Sequence, residues 1–324
     1  MSTEKQFKIP AGVELETIAC PMGCPEGDDL VLVGRDRLHD LPGEFPVVRC
    51  QHCGLMRTNP RPTSETIGFY YPDDYGPYQG TQVTNSRWYS ISQMLRKFVN
   101  VILPTHACLL PDLTAGRMLE VGCASGKFLH EMARKGWQVH GIEFSDSAAA
   151  SARLLGYPVT TGQVESVADF EEPFDLVVGW MVIEHLHHPV EALTKLYNWT
   201  RSGGWLAISV PNAGSAEFRI FKENWYALHL PAHLSHFTPE TMRKMLTAAG
   251  WSVERIQHQR TLTNLIMSAN YWVAERFPDS FLSKMTGWIA KKQRYLNLAL
   301  YPLSTLLSFF GQTGRMTVLA RKPE

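Results

Sequence analysis

The chain has 324 residues, 44% of them hydrophobic, with 31 Lys and Arg against 31 Asp and Glu. A formal charge of zero argues against nucleic acid as the main partner, because phosphate binding normally goes with a basic excess. The apolar content describes a globular chain long enough for two domains, or for one large domain with attachments, and excludes a disordered one.

The opening residues MSTEKQFKIP lack the apolar run of a secretory signal, so a cytoplasmic location is expected. Six cysteines suit that compartment as thiols or metal ligands rather than as disulfides. Four of them form two close pairs, Cys20 and Cys24 in CPMGC and Cys50 and Cys53 in CQHC. Pairs of this kind, beside glycine and turn residues, converge on one tetrahedral ion when the intervening chain doubles back. Residues 15–62 therefore read as a zinc ribbon, the alternative being four buried thiols without a metal; His39 or His52 could take the place of a cysteine as ligand. Four cysteines fill the coordination shell and leave no position for water, so the zinc is expected to be structural. Residues 63–111 follow as a helical and aromatic linker. Its Phe69, Tyr70, Tyr71, Tyr75 and Tyr78 either pin the ribbon to the rest of the chain or stack on a flat ligand.

From Arg117 the chain alternates strand, small-residue turn, amphipathic helix and strand. Met118 to Val121 is a strand that runs into Gly122, Cys123, Ala124, Ser125 and Gly126, where missing or small side chains let a ligand approach the backbone. A second strand, Gln138 to Ile142, ends in Glu143, an acid placed to accept from both hydroxyls of a ribose. The turn is neither G-x-G-x-x-G nor a P-loop, which disfavours a pyrophosphate and hence NAD and ATP.

These residues resemble the class I S-adenosylmethionine-dependent methyltransferases. In those enzymes an acidic residue, a glycine, a few small residues and a second glycine open the cofactor site, and Glu120, Gly122 and Gly126 stand in those places. The segments FDLVVGWMVIEHLHHPVEAL, SGGWLAISVPN and FTPETMRKMLTAAGWSVERIQ continue the pattern in order. The resemblance implies an α/β fold with a doubly wound, Rossmann-like sheet built from residues 112–258 and 316–322. It further implies S-adenosylmethionine as cofactor, lying over Gly122 to Gly126, with Glu143 on the ribose, Phe144 on the adenine and Gln163, beside Val164, replacing the usual acid at the adenine amino group. Trp180 and Met181 would border the sulfonium.

Six of the twelve histidines lie between His185 and His236, after the carboxyl ends of two strands, where this fold places its substrate pocket. A neutral imidazole there can take a proton from an acceptor during methyl transfer. His185 is the expected base and His233 the second candidate, with Glu184 orienting a histidine or binding substrate; His187 and His188 belong to the start of the helix at Pro189. The zinc ribbon ahead of this core resembles a bacterial group that methylates sugars, surface glycans or secondary metabolites.

Residues 259–315 are expected to form a helical insertion before the last strand. From 260 to 316 there are seven Lys/Arg and two acids, whereas Tyr295 to Gly314 carries no charge. Return of Met316 to Arg321 to the same sheet, and Pro302, argue against a membrane crossing. The insertion is instead expected to close a pocket, join a second copy or touch anionic lipid at the inner membrane surface. Two other functions compete with a small-molecule or glycan methyltransferase. One is a zinc-ribbon ribosomal RNA methyltransferase, disfavoured by ten basic against twelve acidic residues in 1–110; the other is a non-catalytic protein that binds the cofactor or a partner alone.

Overall fold

The structure, a computed structural model, describes residues 9–71 and 102–324. The expected aromatics Tyr75 and Tyr78, and the linker from 72 to 101, lie outside the described residues.

Residues 9–71 contribute five strands, β1 (Leu15–Glu16), β2 (Asp28–Arg35), β3 (Glu44–Cys50), β4 (Met56–Thr58) and β5 (Arg61–Pro62). After them come β6 (Arg117–Val121), helix α1 (Lys127–Ala133), β7 (Gln138–Glu143), α2 (Asp146–Leu154), β8 (Val159–Thr161), β9 (Phe174–Trp180), α3 (Pro189–Trp199) and β10 (Thr200–Pro211). Next are α4 (Ala216–Phe221), β11 (Ser235–His236), α5 (Pro239–Ala248) and β12 (Ser252–His258). Four helices, α6 (Thr263–Arg276), α7 (Phe281–Lys291), α8 (Gln293–Ala299) and α9 (Tyr301–Phe309), precede β13 (Arg315–Arg321).

The central sheet has seven strands in the order β12-β13-β10-β9-β6-β7-β8. The run β10-β9-β6-β7-β8 is parallel and β13 is antiparallel to both neighbours. This is the expected α/β Rossmann-like methyltransferase sheet. Its strands are apolar on both faces because helices cover both. Successive residues alternate between two cores: Leu119, Val177, Leu206, Ile208 and Val318 pack on one side, Met118, Leu176, Val178, Ala207 and Leu319 on the other.

The ribbon is not a free-standing module. β11, from the histidine-rich segment after α4, pairs with β4 and completes a four-stranded antiparallel sheet β11-β4-β3-β2. Leu32, Phe45, Val47 and Tyr70 from the amino-terminal segment form a core with Phe218, Trp225, Leu228 and Leu230. Each large apolar side chain buried there contributes about 2–3 kcal/mol of transfer free energy. The ribbon is thereby fastened to the loop that carries His229 and His233.

The insertion is helical as expected. Phe281, Trp288, Tyr295, Leu306, Phe309 and Phe310 are exposed on it. None of the described helices is long and apolar enough to cross a membrane.

Candidate active site

β6 ends at Val121 and the chain reverses through Gly122, whose φ of 67° suits a residue without Cβ. A Cβ there would lie 2.5 Å from Val182 Cγ2, so glycine also lets the loop after β9 close against the turn. Ala124 continues the turn at φ 46° and donates its N–H to Glu143 Oε2 at 2.8 Å, while Ser145 N–H donates to Oε1 at 2.9 Å. The Glu143 carboxylate at the end of β7 is thus held between two backbone donors; burial raises its pKa and those bonds oppose the rise.

These elements form one end of a cavity of about 530 Å³, within the range of small-molecule sites. Val121, Gly122, Ala124, Glu143, Phe144, Gln163 and Val164 line this end, with Trp180 and Met181 beyond them. Met181 sits at φ 60° with its N–H on Ser209 O, and Trp180 packs edge-on to Phe128 at 5.3 Å.

Four of the expected cofactor positions do not border the cavity. Glu120 is buried beneath the turn, its pKa pushed well up by burial. Cys123 turns into the core, where its sulfur would lie 2.6 Å from a Cβ at Gly141. Ser125 is buried within the turn. Gly126, at φ 79°, is the N-cap of α1, and a Cβ there would lie 2.9 Å from Ala152 Cβ; its role is to let α2 pack close to the turn. Alternate residues of a tight turn point away from each other, so a contiguous run cannot all face a ligand.

The other end of the cavity is lined by histidines. His185 closes a short 3₁₀ turn, Ile183–His185, after β9. Its Nδ1 lies 2.9 Å from Ala232 O and 2.8 Å from Tyr71 Oη. A carbonyl only accepts, so Nδ1 carries the proton and Nε2 holds the lone pair of a base. His233 is oriented in the same way, with Nδ1 2.9 Å from Ala227 O, and its Nε2 lies 3.3 Å from His229 Nδ1. The His185 and His233 rings meet edge to face at 4.6 Å. Burial lowers the pKa of His185 to about 3 and of His229 to about 4, and drives that of His233 well down, so the cluster is neutral at pH 7. Glu184 is fully buried, with neither carboxyl oxygen hydrogen-bonded among the described residues, and burial raises its pKa to about 8. The three expected catalytic side chains therefore come together, and Glu184, His185 and His233 offer ligand atoms within 4.8 Å of one another. Nitrogen and oxygen ligands of one small ion stand about 3.4 Å apart. Glu184 Oε1 and His233 Nε2 are 4.0 Å apart, somewhat farther than that.

His188 occupies the N-cap position of α3 without a side-chain capping bond, and His187 Nε2 meets Pro62 O at 3.2 Å, both at the start of that helix as expected. Leu38, His39, Ile67 and Tyr71 from the amino-terminal segment, and Tyr226, His229 and Arg315 from the carboxyl half, also line the cavity. The repeated spacing of histidines signals His229, and the aromatic stretch includes Tyr71; nothing local marks His39 or Arg315 as pocket residues.

Away from the cavity, Cys20, Cys24, Cys50 and Cys53 bring their sulfurs within 4.8 Å of one another. Cys20 and Cys53 sulfurs are 3.5 Å apart, near the roughly 3.8 Å expected between thiolates on one zinc. Burial raises the Cys20 pKa to about 11, whereas backbone N–H groups of His52 and Cys53 help to hold Cys50 down at about 6. The donor chemistry fits zinc, and neither His39 nor His52 joins the set.

Residues 93–256, half of the chain, match the sequence profile of a methyltransferase domain family. Among curated proteins, the ubiquinone biosynthesis O-methyltransferase of Alkalilimnicola ehrlichii is 35% identical over 112 residues, which are 32% of this chain and 44% of that protein. The enzyme of the same name from Aeromonas salmonicida is 26% identical over 199 residues, 55% of this chain and 83% of that protein. The chain therefore spans less than half of the first relative's length. A solved S-adenosylmethionine dependent methyltransferase from Mesorhizobium loti is 16% identical and covers 65% of this chain and 93% of its own, with a TM-score of 0.45. With a profile match over half of its length and its seven-stranded sheet, the chain belongs to the methyltransferase domain family and has the class I methyltransferase fold.

Proposed function

We propose that the enzyme methylates a hydroxyl group of a small molecule, sugar and glycan intermediates included. One observation carries this reading: a single cavity has the Gly122–Glu143 turn at one end, imidazoles held neutral by burial at the other, and Trp180 and Met181 between them. The cofactor, when bound, supplies an electrophilic methyl group on a sulfonium. Glu143 holds its ribose, Phe144 and Gln163 meet the adenine, and Trp180 faces the positive charge. His185 accepts the hydroxyl proton at Nε2 while Ala232 O keeps its Nδ1–H in place; His233 and Glu184 set its surroundings. The relatives' name, O-methyltransferase, supports oxygen as the acceptor atom.

Four cysteines hold a structural zinc in this reading, and the exposed apolar side chains of α7 to α9 form a surface for a second copy or anionic lipid, which light scattering and vesicle flotation at low salt would separate. The acceptor is found by incubating metabolite extracts with the enzyme and a deuterated-methyl cofactor, then reading mass shifts. Calorimetric titration with S-adenosylhomocysteine tests the cofactor site. Absence of binding, or of any labelled product containing a methylated oxygen, overturns the proposal.

A further inference from the structure

Arg315 is the first residue of β13 and pairs with Pro211 at the end of β10. Because β13 runs antiparallel, its first residue lies at the carboxyl edge of the parallel strands, and Arg315 lines the cavity there. Its Nε donates to Asn264 Oδ1 at 3.1 Å, and the buried Asn264 is itself fixed by donating Nδ2 to Gly314 O at 3.0 Å. The base of the guanidinium is therefore anchored. Its two terminal amino groups are different. Among the described residues no carboxylate lies within ion-pair distance of them, and no protein acceptor is hydrogen-bonded to them. Glu184 and Glu217 are near enough to influence Arg315, yet both are fully buried and neither pairs with it.

A guanidinium does not shed its charge, and a buried cation is costly without a counterion. The planar fork of two amino groups matches two oxygens of a carboxylate or phosphate. The cofactor's own carboxylate is poorly placed to supply them. β13 is separated from β6, whose turn begins the cofactor end, by β10 and β9, three strand spacings or roughly 14 Å.

We propose that Arg315 is an anion subsite in the acceptor half of the cavity, so that the acceptor carries a carboxylate or phosphate group in addition to the hydroxyl that is methylated. The inference rests on the assignment of the histidine-lined end to the acceptor. Asn264 is its positioning residue.

The test uses the full-length protein saturated with S-adenosylhomocysteine and titrates it calorimetrically with benzoate, phenyl phosphate and the neutral benzyl alcohol. Wild-type protein is expected to bind at least one anion about tenfold more tightly than benzyl alcohol, a difference of about 1.4 kcal/mol. Whichever anion binds more tightly identifies the source of the oxygens. Arg315→Gln should erase the preference, and Arg315→Lys should restore part of it, since lysine keeps the charge and loses the fork. Equal binding of anions and alcohol by wild-type protein, or no detectable binding of either anion, overturns the inference without reference to any variant. So does an Arg315→Gln protein that has wild-type affinity for S-adenosylhomocysteine and keeps the anion preference. Failure of wild-type protein to bind S-adenosylhomocysteine at all would instead overturn the cofactor assignment.

Discussion

The two ends of the cavity are built by different means. The Gly122–Glu143 end is made by backbone: a glycine turn, two N–H groups on a carboxylate, and strands adjacent in the sheet. The histidine end is made by side chains from four separated stretches, around residues 38–39, 67–71, 182–187 and 226–233, with Arg315 from a fifth. The first is stiff because local geometry determines it. The second exists only while the ribbon, the loop after α4 and β13 hold their places, so damage to the ribbon should reach one end and spare the other.

The largest effect expected is therefore from Cys50→Ala. In the proposed zinc-bound protein, loss of the ion would remove a substantial part of the folding free energy of residues 15–62, since structural zinc in small fingers is worth about 10–16 kcal/mol. Zinc content should fall to zero and methylation by roughly a hundredfold or more, while affinity for S-adenosylhomocysteine stays within about threefold, because misplaced groups alone cost that much in rate. Equal loss at both ends would break the contrast, and wild-type protein without zinc would remove its cause.

Acid should act on the same end. The folded pKa values of His185 and His229, about 3 and about 4, lie below the 6.5 of a free imidazole. Below pH 6.5 the unfolded chain takes up protons that the folded chain refuses, so stability is lost as pH falls from 6.5 toward those lower values. The slope approaches about 1.4 kcal/mol per pH unit per histidine below pH 6.5, or about 3 kcal/mol in total for the two between pH 6.5 and 5. Thermal melts across that range should show it, and a His229→Phe protein with an unchanged slope would count against it.

His185→Ala should lower kcat by roughly 10² with unchanged S-adenosylhomocysteine affinity, and His233→Ala should lower it less. Wild-type turnover in both would rule out imidazole base catalysis. At the backbone end, Gly122→Val places a Cβ 2.5 Å from Val182 Cγ2 at φ 67°, a conformation that alone costs about 1–2 kcal/mol. Cofactor affinity should fall by about a hundredfold with zinc content intact. The smallest effect is expected from Glu143→Gln, which keeps one acceptor oxygen for the backbone N–H groups and loses the charge. A roughly tenfold weaker titration with S-adenosylhomocysteine would fit; no change would remove Glu143 from the ribose contact.

The outline of the fold was legible because strand and helix periods are local, and β9, apolar at nearly every position, announces a strand covered on both faces. Gly122 and Glu143 were legible for the same reason, each at the end of a strand. Glu120 lies near the end of its strand, just before the turn that holds Cys123, Ser125 and Gly126, yet which of these residues face the cavity depends on dihedral angles that spacing does not reveal. Cys123 faces the core, and Gly126 leaves room for α2.

By itself, then, the sequence determined the parallel sheet, the glycine turn, the acid that follows it and the pairing of four cysteines, all set by interactions within a few residues or by donor chemistry. Only the tertiary structure decided that β11 joins the ribbon to the histidine loop, that His39 and Tyr71 cross from the ribbon side to the same cavity as His185, and that Arg315 turns inward from what reads as a basic insertion. Those placements depend on chain closures across as many as 276 residues, from His39 to Arg315, and on burial, which with the neighbouring imidazoles pushes the histidine pKa values down.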